Sequence, residues 1–313
     1  MKTVRYKFGV SYGTCGCTVA LGFFDGIHKG HRQLILSAVA DAKKRGVPSA
    51  VFTFAHGEIK ADSPRIYSEE QRAELLTELG VDVCFVAEFS ELCTLSPSDF
   101  VSKTIIRDIG AEVAVSGYNY RFGHRGAADA KRLCELMEQN SASALIFDEL
   151  SFEGEPISST RVRSCLEEGR IEDANAMLGA PYFVSGVVEH GRGDGKGFGF
   201  PTVNISALEN GVRLRYGVYL TAVKIGEKLY TGLTNVGECP SFGKREYHTE
   251  TYITNYSADV YGMEIKVYFL AFLREERVFA TAEALGEQIK NDLKTAQKKE
   301  RDIKWQELGL ALR

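Results

Sequence analysis

Short apolar runs alternate with amphipathic stripes along the first half of this 313-residue chain. The runs predict strands over Thr18–Gly22, Ala50–Phe54, Val81–Val86, Glu112–Ser116 and Ala144–Leu150. Apolar residues at helical spacing predict helices over His31–Arg45, Ser68–Leu79, Pro97–Ile109 and Ala127–Gln139. Strands separated by helices of this length are typical of a parallel sheet with helices on both faces. We therefore predict that residues 1–178 form a doubly wound α/β domain.

Beyond Pro181 the strand patterns follow one another directly, with turns between them. They predict strands over Tyr182–Val188, Arg213–Ile225, Lys228–Thr234, His248–Asn255 and Met263–Leu273. Gly and Asn residues separate the runs, as in an antiparallel barrel or sandwich. A helical pattern over Thr281–Lys299 comes last. We predict that residues 183–313 form an antiparallel β-barrel with a C-terminal helix.

The composition narrows the class of protein. Hydrophobic residues make up 44% and charged residues 26% of the chain, which is typical of a globular protein. The formal net charge of −4 argues against a broad surface for nucleic acid or anionic membranes. No apolar run approaches the roughly 20 residues of a membrane span. The seven cysteines are odd in number and follow no secretory pattern, so we expect a cytoplasmic protein.

The segment after the first predicted strand, residues 22–31, combines three glycines, an aspartate and two histidines as GFFDGIHKGH. In a doubly wound sheet, ligands bind at the carboxyl ends of the strands, where the strand order reverses. A glycine-rich turn there exposes backbone N–H groups to a phosphate, and the following helix presents its positive end. His28 and His31 lie three apart, so both rings can face one phosphate chain. The segment predicts a nucleotide site.

A second polar segment, Ser158-Ser159-Thr160-Arg161-Val162-Arg163, precedes a predicted helix over Ser164–Glu168. Hydroxyls at a helix start together with an arginine can bind phosphate. An ordinary helix capped by Ser or Thr is the structural alternative.

An aromatic segment, GYNYRFG over residues 117–123, follows the fourth predicted strand. It can stack on a planar ring and bind it through the Asn119 amide. Aromatic residues that only fill the sheet edge are the alternative.

A glycine-rich stretch over residues 191–200 leads into Pro201-Thr202-Val203-Asn204. It matches neither a Walker A loop nor a GxGxxG dinucleotide loop. Thr202 and Asn204 point to the same face of a strand, where a hydroxyl and an amide can hold Mg²⁺ and nucleotide phosphates. Glu250, on the strand predicted over His248–Asn255, becomes a proton acceptor if it faces that pair. A salt-bridged strand glutamate is the alternative.

Taken in order, these segments resemble the bifunctional riboflavin kinase/FAD synthetases of bacteria. GxFDGxHxGH and ISSTRVR are similar to the signatures of nucleotidylyltransferases. GFPTVNI, Tyr216-Gly217-Val218-Tyr219 and Thr234-Asn235-Val236-Gly237 are similar to segments of the riboflavin kinase barrel. The resemblance implies that residues 183–313 phosphorylate riboflavin with ATP to FMN. Residues 1–178 would then transfer AMP from a second ATP to FMN, which gives FAD.

The resemblance also implies residue roles. It implies catalytic roles for His28, His31 and Glu250, and Mg²⁺ ligands at Thr202 and Asn204. It implies ATP contacts at Gly22, Phe23, Asp25, Gly30, Ser159, Thr160, Arg161, Gly195, Lys196, Gly197, Gly199, Pro201, Thr202 and Asn204. It implies flavin contacts at Asn119, Arg121, Phe122, Tyr219 and Asn235. Neither nucleic acid nor a membrane is an expected partner, and the sequence leaves the oligomeric state open.

Some positions depart from the family pattern. Thr53-Phe54 leads into Ala55-His56-Gly57-Glu58 instead of a proline-containing loop, and Arg72 stands where lysine is common. The altered loop supports one alternative, a riboflavin kinase with an impaired adenylylation domain. A non-catalytic flavin sensor is disfavoured because Glu250, Asn204 and His28 are all present. A synthetase-like tRNA enzyme, suggested by HKGH, is disfavoured by the charge and length.

Overall fold

A computed structural model describes residues 1–13, 16–55, 63–189, 201–206, 208, 210–241 and 244–302 of the chain. The chain divides into two compact units, Met1–Ser159 and Thr160–Arg313. Within the described ranges, no helix combines the length and apolar character needed to cross a membrane.

The first unit contains a six-stranded parallel sheet in the order β1-β4-β3-β2-β5-β6. Its strands are β1 (Lys2–Tyr6), β2 (Cys17–Leu21), β3 (Ser49–Phe54), β4 (Val83–Ala87), β5 (Ala111–Gly117) and β6 (Ser143–Phe147). Its helices are α1 (Lys29–Arg45), α2 (Glu69–Glu78), α3 (Phe89–Leu92), α4 (Pro97–Asp99) and α5 (Ala130–Gln139). A hairpin of β7 (Ser151–Phe152) and β8 (Glu155–Pro156) follows. The predicted doubly wound fold is confirmed.

Local sequence explains most of these elements. All five residues of β2 are buried, as expected for a central strand with helices on both faces. Ser68 and Gln71 form a capping box at the start of α2. Gly46 ends α1 in the left-handed conformation with φ 68°. The edge strand β1 was not predicted, because it lacks a continuous apolar run. Only Tyr6 in this strand is buried.

The predicted helix over Pro97–Ile109 is irregular. After α4 the chain forms a π-helical segment, Phe100–Asp108. The Tyr6 hydroxyl donates to Asp108 Oδ2 at 2.8 Å, and the Gly9 N–H donates to the same oxygen at 2.9 Å. These bonds fix the end of the π-helical segment against the first residues of the chain, a tertiary constraint that helical periodicity cannot predict.

The second unit contains a closed antiparallel barrel in the order β10-β13-β12-β11-β14-β9. Two helices, α6 (Ser159–Glu167) and α7 (Ile171–Leu178), precede the barrel. The barrel strands are β9 (Tyr182–Glu189), β10 (Thr202–Ser206), β11 (Gly217–Ile225), β12 (Lys228–Ser241), β13 (Lys244–Ile253) and β14 (Glu264–Glu275). The predicted barrel and C-terminal helix, α8 (Ala282–Asp302), are confirmed.

The two faces of the barrel wall differ in chemistry. On the inward face, the fully buried hydroxyls of Thr221, Thr234 and Thr251 form a chain with O–O distances of 2.9 Å. On the outward face, apolar residues of β11, β12 and β14 form a second core with α8, in which Ala296 is 1% exposed. Residues that alternate along each strand therefore face either a closed interior or the helix-covered outside.

Candidate active sites

The first candidate site lies where the order of the parallel sheet reverses. β2 pairs with both β3 and β5, so the loops after β2 and β5 leave the same edge of the sheet side by side. The loop after β2 contains the glycine and histidine segment, and the loop after β5 contains the aromatic segment. Ligands of doubly wound sheets bind at such a reversal point.

The loop between β2 and α1 has a strained backbone. Phe24 and Ile27 adopt positive φ values of 51° and 43°, and both side chains are buried. Such conformations cost about 1–3 kcal/mol each and cluster at functional sites. Gly26 has φ 80°, and a Cβ on it would lie 2.7 Å from Cδ1 of Ile66, so only glycine fits there. The surrounding structure therefore enforces one loop conformation.

His28 and His31 meet at the start of α1. His28 is the N-cap residue, and its Nδ1 accepts the His31 N–H at 3.4 Å. The acceptor role of Nδ1 places the proton of the neutral ring on Nε2. Burial lowers the pKa of His28 to about 4, so the ring is neutral at pH 7. Gly30 leaves room for it, because a Cβ on Gly30 would lie 3.3 Å from the His28 ring. His28 can therefore donate a hydrogen bond from Nε2 without carrying charge.

Two residues that sequence reasoning did not assign to the site hold this loop in place. The buried Arg72 guanidinium donates to the carbonyl oxygens of Phe23, at 3.1 Å, and Phe54, at 3.4 Å. The Thr53 hydroxyl donates to the same Phe23 oxygen at 2.8 Å. Burial lowers the pKa of Arg72. Asp25 lies nearby and its Oδ1 accepts the N–H of Ile66 at 3.3 Å.

The loop after β5 divides into a buried part and an exposed part. Phe122 is buried and packs against Phe100 with ring centroids 5.6 Å apart. Tyr120 stacks on Phe122, and burial raises the pKa of its hydroxyl. Asn119 and Arg121 are exposed. The side chains of Asn119 and Arg121 are therefore accessible to a ligand. The flavin contact predicted for Phe122 stays a prediction, and its buried ring packs in the core.

The helix after the ISST segment is longer than predicted, because α6 begins at Ser159. In the first unit, the Ser159 hydroxyl donates to the carbonyl oxygen of Asp25 at 2.7 Å. Thr160 and Arg161 belong to the second unit, where Arg163 donates to the Thr160 hydroxyl at 3.4 Å. The structure therefore joins Ser159 to the glycine and histidine segment.

The second candidate site lies on the outward face of the barrel. Asn204 on β10, Glu250 on β13 and Asn235 on β12 occupy one row in register across three neighbouring strands. Thr202 pairs with Tyr252 in the next row on the same face. The oxygen-bearing side chains predicted from the sequence are therefore brought together, with Glu250 between two amides.

Glu250 and Asn235 of this row line a cavity of about 300 Å³ between the barrel wall and α8. The value is at the lower end of the range for small-molecule pockets, about 300–1,000 Å³. The lining residues are Thr202, Val218, Leu233, Asn235, Glu250, Tyr252, Arg274, Glu276, Arg277, Phe279, Leu285, Ile289 and Asp292. Arg274 bonds to Asp292 of α8 at 2.8 Å and so fixes the helix over the cavity. The lining therefore combines apolar side chains with the Glu250 carboxylate and the Asn235 amide.

The other site residues predicted for this unit lie away from the cavity or outside the residues that the structure describes. Tyr219 is fully buried on the inward face, packs on Phe269 and Phe272, and donates its hydroxyl to the Arg215 carbonyl. Its predicted flavin contact stays a prediction that burial does not favour. Pro201 is exposed just before β10. Gly195, Lys196, Gly197 and Gly199 lie outside the described residues, as do His56, Gly57 and Glu58 of the altered loop.

Known proteins match both units. The sequence matches the family described as FAD synthetase over residues 12–161 and the family described as riboflavin kinase over residues 178–299. A bifunctional riboflavin kinase/FMN adenylyltransferase of Bacillus subtilis is 31% identical over 288 residues, which cover 89% of this chain and 90% of that protein. The protein of the same description from Escherichia coli K12 is 30% identical and covers 90% and 92%.

A solved structure also matches. The crystal structure described as a macrolide-efflux protein from Streptococcus pneumoniae has a TM-score of 0.84 and 29% sequence identity. The match covers 95% of this chain and 99% of that one. It supports the fold of both units.

Proposed function

Because the chain belongs to the family of bifunctional riboflavin kinase/FMN adenylyltransferases, we propose that it phosphorylates riboflavin to FMN and then adenylylates FMN to FAD. ATP is the co-substrate of both steps. The first step belongs to the barrel, in residues 183–313, and the second to the parallel-sheet domain, in residues 1–178. The observation that carries the proposal is the row Asn204–Glu250–Asn235 beside the cavity.

In the kinase step, Glu250 accepts the proton of the terminal ribityl hydroxyl. That alcohol attacks the γ-phosphorus of ATP, and the bond from γ-phosphorus to the bridging oxygen breaks to release ADP. The apolar walls of the cavity, including Leu233, Phe279 and Ile289, suit the flavin ring. Asn235 lies beside Glu250 and suits a hydrogen bond to the flavin.

The residues at this site fit a magnesium ion. Mg²⁺ prefers oxygen ligands, and the Thr202 hydroxyl and Asn204 amide oxygen lie on one face of β10. Among the described residues, no group of three or more His, Cys, Asp or Glu side chains could hold a metal ion. Thr202 and Asn204 would hold the ion together with the phosphates, and the ion would neutralise phosphate charge during transfer. Pro201 and the glycines at 195, 197 and 199, with Lys196, would bind the ATP phosphates.

In the adenylylation step, an oxygen of the FMN phosphate attacks the α-phosphorus of ATP, and pyrophosphate leaves. No covalent side-chain nucleophile is needed, so the protein has to orient the phosphates and stabilise their charge. The neutral His28 donates from Nε2, and His31 and the backbone of the strained loop bind beside it. Thr160 and Arg161 bind phosphate, and Asn119 and Arg121 bind the flavin.

One incubation tests the proposal. The purified chain with riboflavin, ATP and Mg²⁺ is expected to form FMN first and FAD later, with the flavins separated by chromatography. FMN without FAD would support the alternative, a riboflavin kinase with an impaired adenylylation domain. Absence of both products from folded protein would refute the proposed function.

The composition supports a cytoplasmic location, with neither nucleic acid nor a membrane as partner.

A further inference from the structure

His248 lies next to the proposed base on the same strand face. It is two residues before Glu250 in β13, and its Nε2 is 4.0 Å from Glu250 Oε1. The His248 side chain is 20% exposed and that of Glu250 is 34% exposed. A small rotation of either side chain would bring Nε2 and Oε1 within hydrogen-bond distance. Hydrogen bonds in empty active sites often shorten when substrate binds.

The surroundings of the two ring nitrogens indicate which tautomer His248 adopts. Its Nδ1 is buried, and no hydrogen-bond partner for it lies among the described residues. With or without a proton, Nδ1 is unpaired there, so the surroundings of Nε2 decide the tautomer. Only a proton on Nε2 gives the ring a hydrogen-bond donor beside the Glu250 carboxylate, so the neutral ring carries its proton there.

The residues that pair with His248 on the two neighbouring strands have no side chain or a small one, so they leave space for a bond between His248 and Glu250. Its register partner on β12 is Gly237, which has no side chain. A Cβ on Gly237 would lie 2.5 Å from Oε1 of Glu276, so the Glu276 carboxylate covers that position. Its partner on β10 is Ser206, which donates to Glu189 at 2.8 Å. The charged groups at and beside these positions are thus the carboxylates of Glu250, Glu276 and Glu189.

We propose that His248 is a positioning residue for phosphoryl transfer, which donates its Nε2–H to Oε1 of Glu250. The other carboxylate oxygen, Oε2, then faces the ribityl hydroxyl and takes its proton. The inference rests on the proposed role of Glu250 as base.

The test compares two substitutions in the full chain. His248→Leu removes the donor at similar size, whereas His248→Gln keeps an N–H near the Nε2 position. We expect His248→Leu to lower kcat for FMN formation by about 10- to 100-fold, the effect of one lost hydrogen bond to a charged group. The KM for riboflavin should change less than about twofold, because the donor acts on the base. The kcat should return towards the wild-type value in His248→Gln, which restores a donor near the Nε2 position.

Matched variants separate the outcomes. His124→Leu alters an exposed histidine of the first unit that contacts the Cys93 carbonyl, and it should leave FMN formation unchanged. If His248→Leu fails to fold, His248→Asn replaces it, because its shorter amide cannot reach Glu250. A wild-type kcat in the Leu or Asn variant, or a Gln variant no better than Leu, would overturn the role of His248. Failure of the wild-type protein to make FMN would instead overturn the proposed function.

Discussion

The imidazole rings of His28 and His31 stack with centroids 3.7 Å apart and planes inclined by 20°. Two positive charges at this distance would repel strongly, and burial already disfavours charge on His28. At neutral pH the pair therefore presents a neutral donor at His28 beside His31. The pair resembles a phosphate-binding surface that works through directed hydrogen bonds.

The buried His28 makes the stability of the first unit dependent on pH. Its folded pKa of about 4 is below the ordinary value of 6.5, so the unfolded chain binds more protons between these values. Stability is therefore lost as pH falls from 6.5 towards 4, by about 2 kcal/mol at pH 5. His28→Asn, which keeps an N-cap acceptor but does not titrate, should show a smaller loss in thermal denaturation between pH 7 and 5. Equal losses in both proteins would contradict the lowered pKa.

The two activities should separate by mutation. Glu250→Gln removes the base and should abolish conversion of riboflavin to FMN while leaving conversion of supplied FMN to FAD intact. His31→Ala should do the reverse, because it alters only the phosphate site of the parallel-sheet domain. Each reaction is measured separately by chromatography of the flavins. Loss of both activities in either folded variant would mean that the sites are not independent.

Asn204→Ala should lower the affinity of the kinase site for Mg²⁺. Loss of even an outer-shell partner costs metal sites about 10- to 100-fold in affinity or activity, so a ligand should matter at least as much. We expect the Mg²⁺ concentration for half-maximal FMN formation to rise by about tenfold or more. Ser206→Ala, two residues along the same face of β10, is the matched control. An unchanged Mg²⁺ dependence would exclude Asn204 as a ligand.

Arg72 should matter for adenylylation although it lies behind the loop. Arg72→Met removes the charged donors to the carbonyl oxygens of Phe23 and Phe54 and should destabilise the first unit by about 3 kcal/mol. FAD formation should fall, while FMN formation is retained. Arg72→Lys keeps one charged donor and should give an intermediate result. Unchanged melting and unchanged FAD formation in Arg72→Met would show that the loop holds its shape without Arg72.

The parts of the fold that follow from local pattern could be predicted, and those that depend on long-range pairing could not. The buried strand β2 and the capping box at Ser68 can each be predicted from a few consecutive residues. The pairing of Asn204 with Glu250 depends on how the barrel closes across 45 intervening positions. The ion pair of Arg274 with Asp292 likewise depends on how α8 packs on β14.

Tyr219 illustrates the same limit and gives a further prediction. Alternation along β11 assigns Tyr219 and Val218 to opposite faces, but the sequence does not say which face is inward. Since Tyr219 is fully buried, Tyr219→Phe should cost only about 1 kcal/mol of stability, through the lost bond to the Arg215 carbonyl. The KM for riboflavin should stay unchanged, whereas Asn235→Ala, on the face of the cavity, should raise it. A clear rise in riboflavin KM in Tyr219→Phe without a change in melting would instead support the flavin contact predicted from the sequence.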